Sequence, residues 1–223
     1  RAMFEENIDA DELLGLLDVE RATVVTPLMF EYGLIERARA SRRRIVLPEG
    51  EDDRILRAAA TVLSRGIANL TILGEEIEVR SRAIGLGLDI QKADVLSSFD
   101  DVLRVKFSEE YHRLREHKGV TLERARDTVT DLSYFGTLMV QLGLADGMVA
   151  GAAHTTAHTV RPAFEIIKTK EGVSVVSSVF LMALADRVLV YGDCAVIPDP
   201  TADQLADIAV SATETARQFG IEP

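Results

Sequence analysis

Short apolar runs alternate with longer amphipathic stretches along most of this chain, and that alternation restricts its possible folds more than any other feature. RIVLP (44–48), NLTIL (69–73), ADVLS (93–97) and DGMVAG (146–151) read as strands. Helical periodicity fills the spaces between them: a helix ending near 65, one over 75–84, and long ones over about 101–117 and 121–142. A further helix spans 27–40, with Thr26 as its cap and Pro27 in the first helical position. Strand-like runs recur at 173–182 and 187–191, and 201–219 closes the chain as an amphipathic helix. The acidic, leucine-containing segment 9–18 reads as a short helix or the tail of a preceding unit. Strands alternating with helices imply an α/β fold, a mostly parallel sheet with helices on both faces. KTKEG (168–172) is the best candidate for a domain boundary. The chain opens on Arg1 and its last residues approach another strand, so it is expected to be part of something longer.

Composition narrows the function classes. The 223 residues suffice for a sizeable core, and 47% hydrophobic with 27% charged is ordinary for a globular protein. A net charge of −11 argues against a general nucleic-acid or anionic-membrane surface, so basic residues that bind a small anion must be gathered locally. Cys194 is the single cysteine, which excludes a disulfide framework within the chain and suits a reducing cytoplasm. The longest apolar run, roughly 173–185, is too short to span a bilayer.

In parallel α/β folds, ligands bind beyond the carboxyl ends of strands, where loops meet helix N-termini. Two stretches qualify. In LPEGEDDR (47–54), Gly50 permits a tight turn, while Glu51, Asp52 and Asp53 favour the helix dipole, so a well-capped helix is the favoured reading. In GAAHTTAHTVRP (151–162), Gly151 and the alanines leave room for a ligand near the backbone. Thr155, Thr156 and Thr159 offer hydroxyls, and Thr159 is read as the helix cap, with Pro162 inside the first turn. Arg161 would then stand beside free N–H donors, and its fork can bond two phosphate oxygens at once. A solvated arginine at a helix start is the alternative.

The i, i+4 spacing of His154 and His158 invites a metal reading. Thr155 stands where H-E-x-x-H needs glutamate, the pair straddles a loop, and no third ligand is apparent, so zinc is not expected. The basic run HRLREHK (112–118) can complement a helix C-terminus or bind an anion, and Arg42 to Arg44 reads as a solvated helix end. Neither a dinucleotide fingerprint nor a P-loop is present.

LPEGEDDRILRAA (47–59), YHRLREHKGVTLERA (111–125), YFGTLMVQLGLADGMVAGAAHTTAHTVRPAFEIIKT (134–169) and DCAVIPDPTADQLADIAV (193–210) together resemble phosphate acetyltransferase, in the order that family uses. TPLMFEYGLIERARA resembles the approach to the catalytic region in the long form of that enzyme. The resemblance implies reversible acetyl transfer between coenzyme A and phosphate, with coenzyme A a substrate and no separate cofactor. It implies a two-domain architecture like that of isocitrate and isopropylmalate dehydrogenases, in a cytoplasmic homo-oligomer built on dimers. Residues 1–25 would connect to a preceding domain, 26–170 form the first α/β domain, and 171–223 begin a second, incomplete one. Arg161 of the T-x-R-P motif and Arg115 before H-K-G would bind coenzyme A, with His154, Thr155 and Thr156 lining the same cleft. The residue before the T-x-R-P threonine, usually acidic or an amide, is here His158. The family's S-R-G motif and its aspartate fall beyond Pro223, so the resemblance places no catalytic residue in 1–223 and implies no turnover by this stretch alone. Neighbouring readings are a phosphate butyryltransferase, a noncatalytic regulatory domain of the kind malic enzymes carry, and a nicotinamide-dependent decarboxylating dehydrogenase. The last would need clustered metal-binding aspartates, which the sequence does not show.

Overall fold

The computed structural model describes residues 26–171, 173 and 175–222. The helix read over 9–18 and the connecting role given to 1–25 lie outside these residues. The elements are α1 (Pro27–Ala40), β1 (Arg44–Leu47), α2 (Asp53–Arg65), β2 (Asn69–Leu73), α3 (Glu76–Gly85), β3 (Asp94–Leu96), α4 (Asp101–Arg115), α5 (Leu122–Thr128), α6 (Leu132–Gln141), β4 (Gly147–Met148), α7 (Thr156–Ile166), β5 (Val179–Ala183), β6 (Val188–Gly192) and α8 (Ala202–Gln218). Packing divides them into two compact units, Gly33–Val176 and a second that joins Ser177–Pro223 to the segment ending at Tyr32.

In the larger unit four parallel strands lie in the order β3-β2-β1-β4. Period-two alternation sends successive side chains to opposite faces. Leu47, Leu70 and Ile72 pack with Leu56 and Ala59 of α2 and Val79 and Ala83 of α3. Val46 and Leu73 point the other way, into a cluster with Phe107 and Tyr111 of α4, Phe135 and Leu138 of α6, and Ile166 of α7. The sheet is therefore parallel and covered by helices on both faces.

Three differences from the sequence reading have physical causes. The helix expected over 121–142 is broken: α5 stops at Thr128, and Asp131 caps a new helix by accepting from the amides of Ser133 and Tyr134. The β-branched run Thr128, Val129, Thr130 weakens helix, and Asp is a strong cap. Arg44, read both in the basic run and at the head of RIVLP, belongs to the strand rather than to a solvated helix end. It opens β1, where its amide and guanidinium both donate to Asp146 just before β4. In the second unit, β5 starts only at Val179 and pairs antiparallel with β6, Phe180 opposite Tyr191 and Leu181 opposite Val190. The four residues joining them fit a hairpin and are far too few for a parallel crossover, which needs a dozen or more. Asp193, just past β6, gathers the amides of Ser178, Val196 and Ile197 and the Ser178 hydroxyl.

Candidate functional site

The carboxyl ends of β1 and β4, adjacent parallel strands, converge within the larger unit. Beyond β1 the chain turns through Pro48, Glu49 and Gly50. The Gly50 amide bonds the Leu73 carbonyl at 3.2 Å, and a Cβ at Gly50 would collide with that same oxygen and with Ile72. Only glycine lets the turn lie this close to β2. Asp52 then caps α2 by accepting from the Arg54 amide at 2.8 Å, as expected of a well-capped helix. Arg54 bonds Asp52 and also reaches the Ala152 carbonyl across the gap.

The turn beyond β1 aims Glu49 at the loop beyond β4. Its Oε2 accepts from the amides of Gly151 (3.0 Å) and Ala152 (2.8 Å), and its Oε1 from those of Ala153 (2.7 Å) and His154 (3.1 Å). His154 Nδ1 adds a fifth contact to Oε1 at 2.9 Å. The Glu49 side chain is only 1% exposed. Burial opposes its charge, but the Ala153 and Ala152 amides, with the ring and amide of His154, outweigh that and hold the carboxyl at about 2. The room that the sequence left for a ligand near the backbone of Gly151 and the alanines is thus taken by an internal carboxylate. DGMVAG accordingly contributes only Gly147–Met148 to the sheet, because the amides from Gly151 onward turn to Glu49.

Thr155, not Thr159, caps α7, accepting from the His158 amide at 3.3 Å. The helix starts about one turn earlier than expected, and Pro162 falls inside it, where it deprives the His158 carbonyl of its usual i+4 donor. Pro162 is fully buried. His158, Arg161 and Glu165 share one helical face by their i, i+3, i+7 spacing. His158 Nε2 meets Asp131 Oδ2 at 2.8 Å, and its ring packs 4.5 Å from that of His154. Glu165 Oε2 accepts from the hydroxyls of Tyr111 (2.7 Å) and Tyr134 (3.0 Å). Burial and the Glu165 carboxylate raise both phenols, Tyr134 to about 12.

Arg161 remains largely uncommitted. Its side chain is 74% exposed and its nearest carboxylate, Glu165, lies 3.9 Å away. Arg115 ends α4 and is half-buried, its Nε shielded from water and unpartnered within the described residues. The Thr159 hydroxyl is also buried without a partner, 3.9 Å from where a Cβ on Gly151 would stand. The structure therefore brings His154, Thr155, Thr156 and Arg161 together on one loop and helix. Arg115 belongs to the neighbouring helix, which Tyr111 ties to α7 through Glu165. Among the described residues no three His, Cys, Asp or Glu side chains are placed to hold a metal ion.

Glu49, Asp131 and Glu165 were missed as site residues. Glu49 had a signal: a glutamate between Pro48 and an obligatory Gly50 at a strand's carboxyl end. Asp131 and Glu165 had none, because their partners, 27 and 31 or more residues away in sequence, meet only in the fold.

Residues 29–223 match the family model described as phosphate acetyl/butaryl transferase. The chain belongs to that family. A phosphate acetyltransferase from Synechocystis is 54% identical over 224 residues, a match covering all of this chain and 32% of the relative. One from Corynebacterium glutamicum is 52% identical, over 87% of this chain and 59% of its own length. The chain thus spans about a third of the first relative and somewhat over half of the second. Among solved structures, phosphotransacetylases from Staphylococcus aureus and Streptococcus pyogenes superpose with TM-scores of 0.81 and 0.80 at 39% and 43% identity. They match 87% and 89% of this chain, and 58% and 60% of their own.

Proposed function

We propose that this chain supplies the substrate-binding part of a phosphate acetyltransferase, which moves an acetyl group between coenzyme A and phosphate. The observation that carries the reading is Arg161: an uncommitted guanidinium on the first turns of a helix beyond a parallel strand, within the T-x-R-P motif of a family member. Its fork would bond a phosphate of coenzyme A, with Arg115, His154, Thr155 and Thr156 contributing to the same binding region. In the direction of thioester formation, the coenzyme sulfur gives up its proton and attacks the acetyl carbonyl carbon. A C–S bond forms, the C–O bond to phosphate breaks, and inorganic phosphate leaves. A thiol of pKa about 8.5 is mostly protonated at neutral pH, so the step gains from a base. Cationic and N–H donors stabilise the oxyanion and the departing phosphate.

We further place residues 26–170 in the first and 171–223 in the second domain of a two-domain, isocitrate dehydrogenase-like architecture. We also propose a cytoplasmic homo-oligomer built on dimers. Its support is the family and the single cysteine; no described helix is long and apolar enough to cross a membrane. Thioester formation by the full-length protein, measured with acetyl phosphate and with butyryl phosphate, tests the activity. Faster turnover of acetyl phosphate is expected; preference for butyryl phosphate, or no transfer of either by a folded protein, would reject the reading.

A further inference from the structure

Four consecutive main-chain donors, the amides of residues 151–154, would ordinarily make an anion site at the carboxyl end of a strand. Here one carboxylate of the same chain fills it, with two amides on each oxygen of Glu49. An ionised carboxylate offers about four lone-pair positions, so the four amides already satisfy Glu49 as a loop staple. The His154 ring is a fifth partner that stapling does not require.

That contact has a chemical consequence. An ionised carboxylate only accepts, so the nitrogen facing it, Nδ1, must carry a proton whether the ring is neutral or charged. In the neutral ring the lone pair is then on Nε2, which has no protein partner among the described residues. His158, packed against it, is held the opposite way: its Nε2 faces Asp131. The two imidazoles are fixed by two different carboxylates and leave different nitrogens available. His154 is also anchored at its own amide by the same Glu49 oxygen, so backbone and ring are set together. Its side chain remains 33% exposed, enough to meet a ligand.

We infer that Glu49 is a positioning residue: it fixes His154 as the Nδ1–H tautomer and leaves Nε2 to accept a hydrogen bond from an N–H or S–H donor of the coenzyme. The identity of the ligand rests on the acetyltransferase reading; the tautomer does not. A substrate phosphate must then find Arg161 and its neighbours rather than the 151–154 amides, which are already occupied.

The test is long-range proton–nitrogen NMR on the full-length protein labelled with 15N-histidine, with His154 assigned by its loss in His154→Gln. The neutral ring should show a protonated Nδ1 and a bare Nε2, and Glu49→Gln should mix or reverse that pattern. A protonated Nε2 in the unaltered protein would overturn the inference. Steady-state kinetics give a second readout. Glu49→Gln should lower kcat/KM for coenzyme A about tenfold, and less than about twofold more when introduced into His154→Gln, as expected of residues acting through one contact. Effects that multiply independently would show that Glu49 does not act through His154. Absence of acetyl transfer by the unaltered protein would remove the acetyltransferase reading, while the NMR pattern would still decide what Glu49 does to His154.

Discussion

Glu49 in the larger unit and Asp193 in the smaller do the same elementary thing in different settings. Each carboxylate collects main-chain amides at the ends of strands. Asp193 reaches donors three, four and 15 residues away, in a half-buried turn. Glu49 reaches donors 102 to 105 residues away, with its side chain sealed from water. The first ties its own turn to Ser178 ahead of β5, with acceptor and donors alike half-buried. The second joins two distant strand ends through a carboxylate that is itself buried, although the 151–154 loop it holds is half-buried to exposed. The difference lies in how far the acceptor itself is withdrawn from water and how distant the segments are that it joins, not in the donors' exposure.

The largest expected effect follows directly. Glu49→Ala removes a buried carboxylate from four amides and the His154 ring and should destabilise the protein by roughly 3–5 kcal/mol, as for removing one partner of a buried charged pair. Asp193→Ala should cost less, about 1 kcal/mol, because both its carboxylate and its donors are only half-buried. Denaturant titrations of the two variants would measure this, and equal losses would break the contrast.

Acid should separate the two states of Glu49 as well. Its folded carboxyl is held at about 2, below its ordinary 4.5. A depressed pKa contributes stability that is fully present above about 4.5 and disappears as the pH falls toward 2, here about 3 kcal/mol by linkage. Glu49→Gln should flatten the stability profile in that window, and an unchanged slope would contradict the assignment. The smallest effect belongs to the helix that the Glu49 loop feeds. Thr155→Ala removes the α7 cap and should cost about 1 kcal/mol in the same titration, whereas Thr159→Ala should not act as a cap loss.

Much of the sheet was legible because β1 and β2 are apolar runs bounded by turn residues, and because their alternation survives in the two core clusters. Capping was legible where the signal is local, as at Thr26, whose hydroxyl accepts from the Met29 amide, and misplaced where several threonines follow one another, as at 155, 156 and 159. Pro162 pulled the expected α7 start toward itself, since proline is best tolerated in a first turn; tertiary burial overrode that preference. The room near the backbone at Gly151 and the alanines was legible too, but not that Glu49 fills it, because nothing local marks a glutamate about a hundred residues away as the acceptor.

The proposed coenzyme site rests above all on Arg161. Thioester formation from acetyl phosphate and coenzyme A should be compared between the full-length protein and its Arg161→Ala variant, with folding checked by thermal denaturation. Loss of charge-assisted bonds should raise the KM for coenzyme A by about ten- to hundredfold with the fold intact. An unchanged KM in a folded variant would contradict the placement of the coenzyme on this helix.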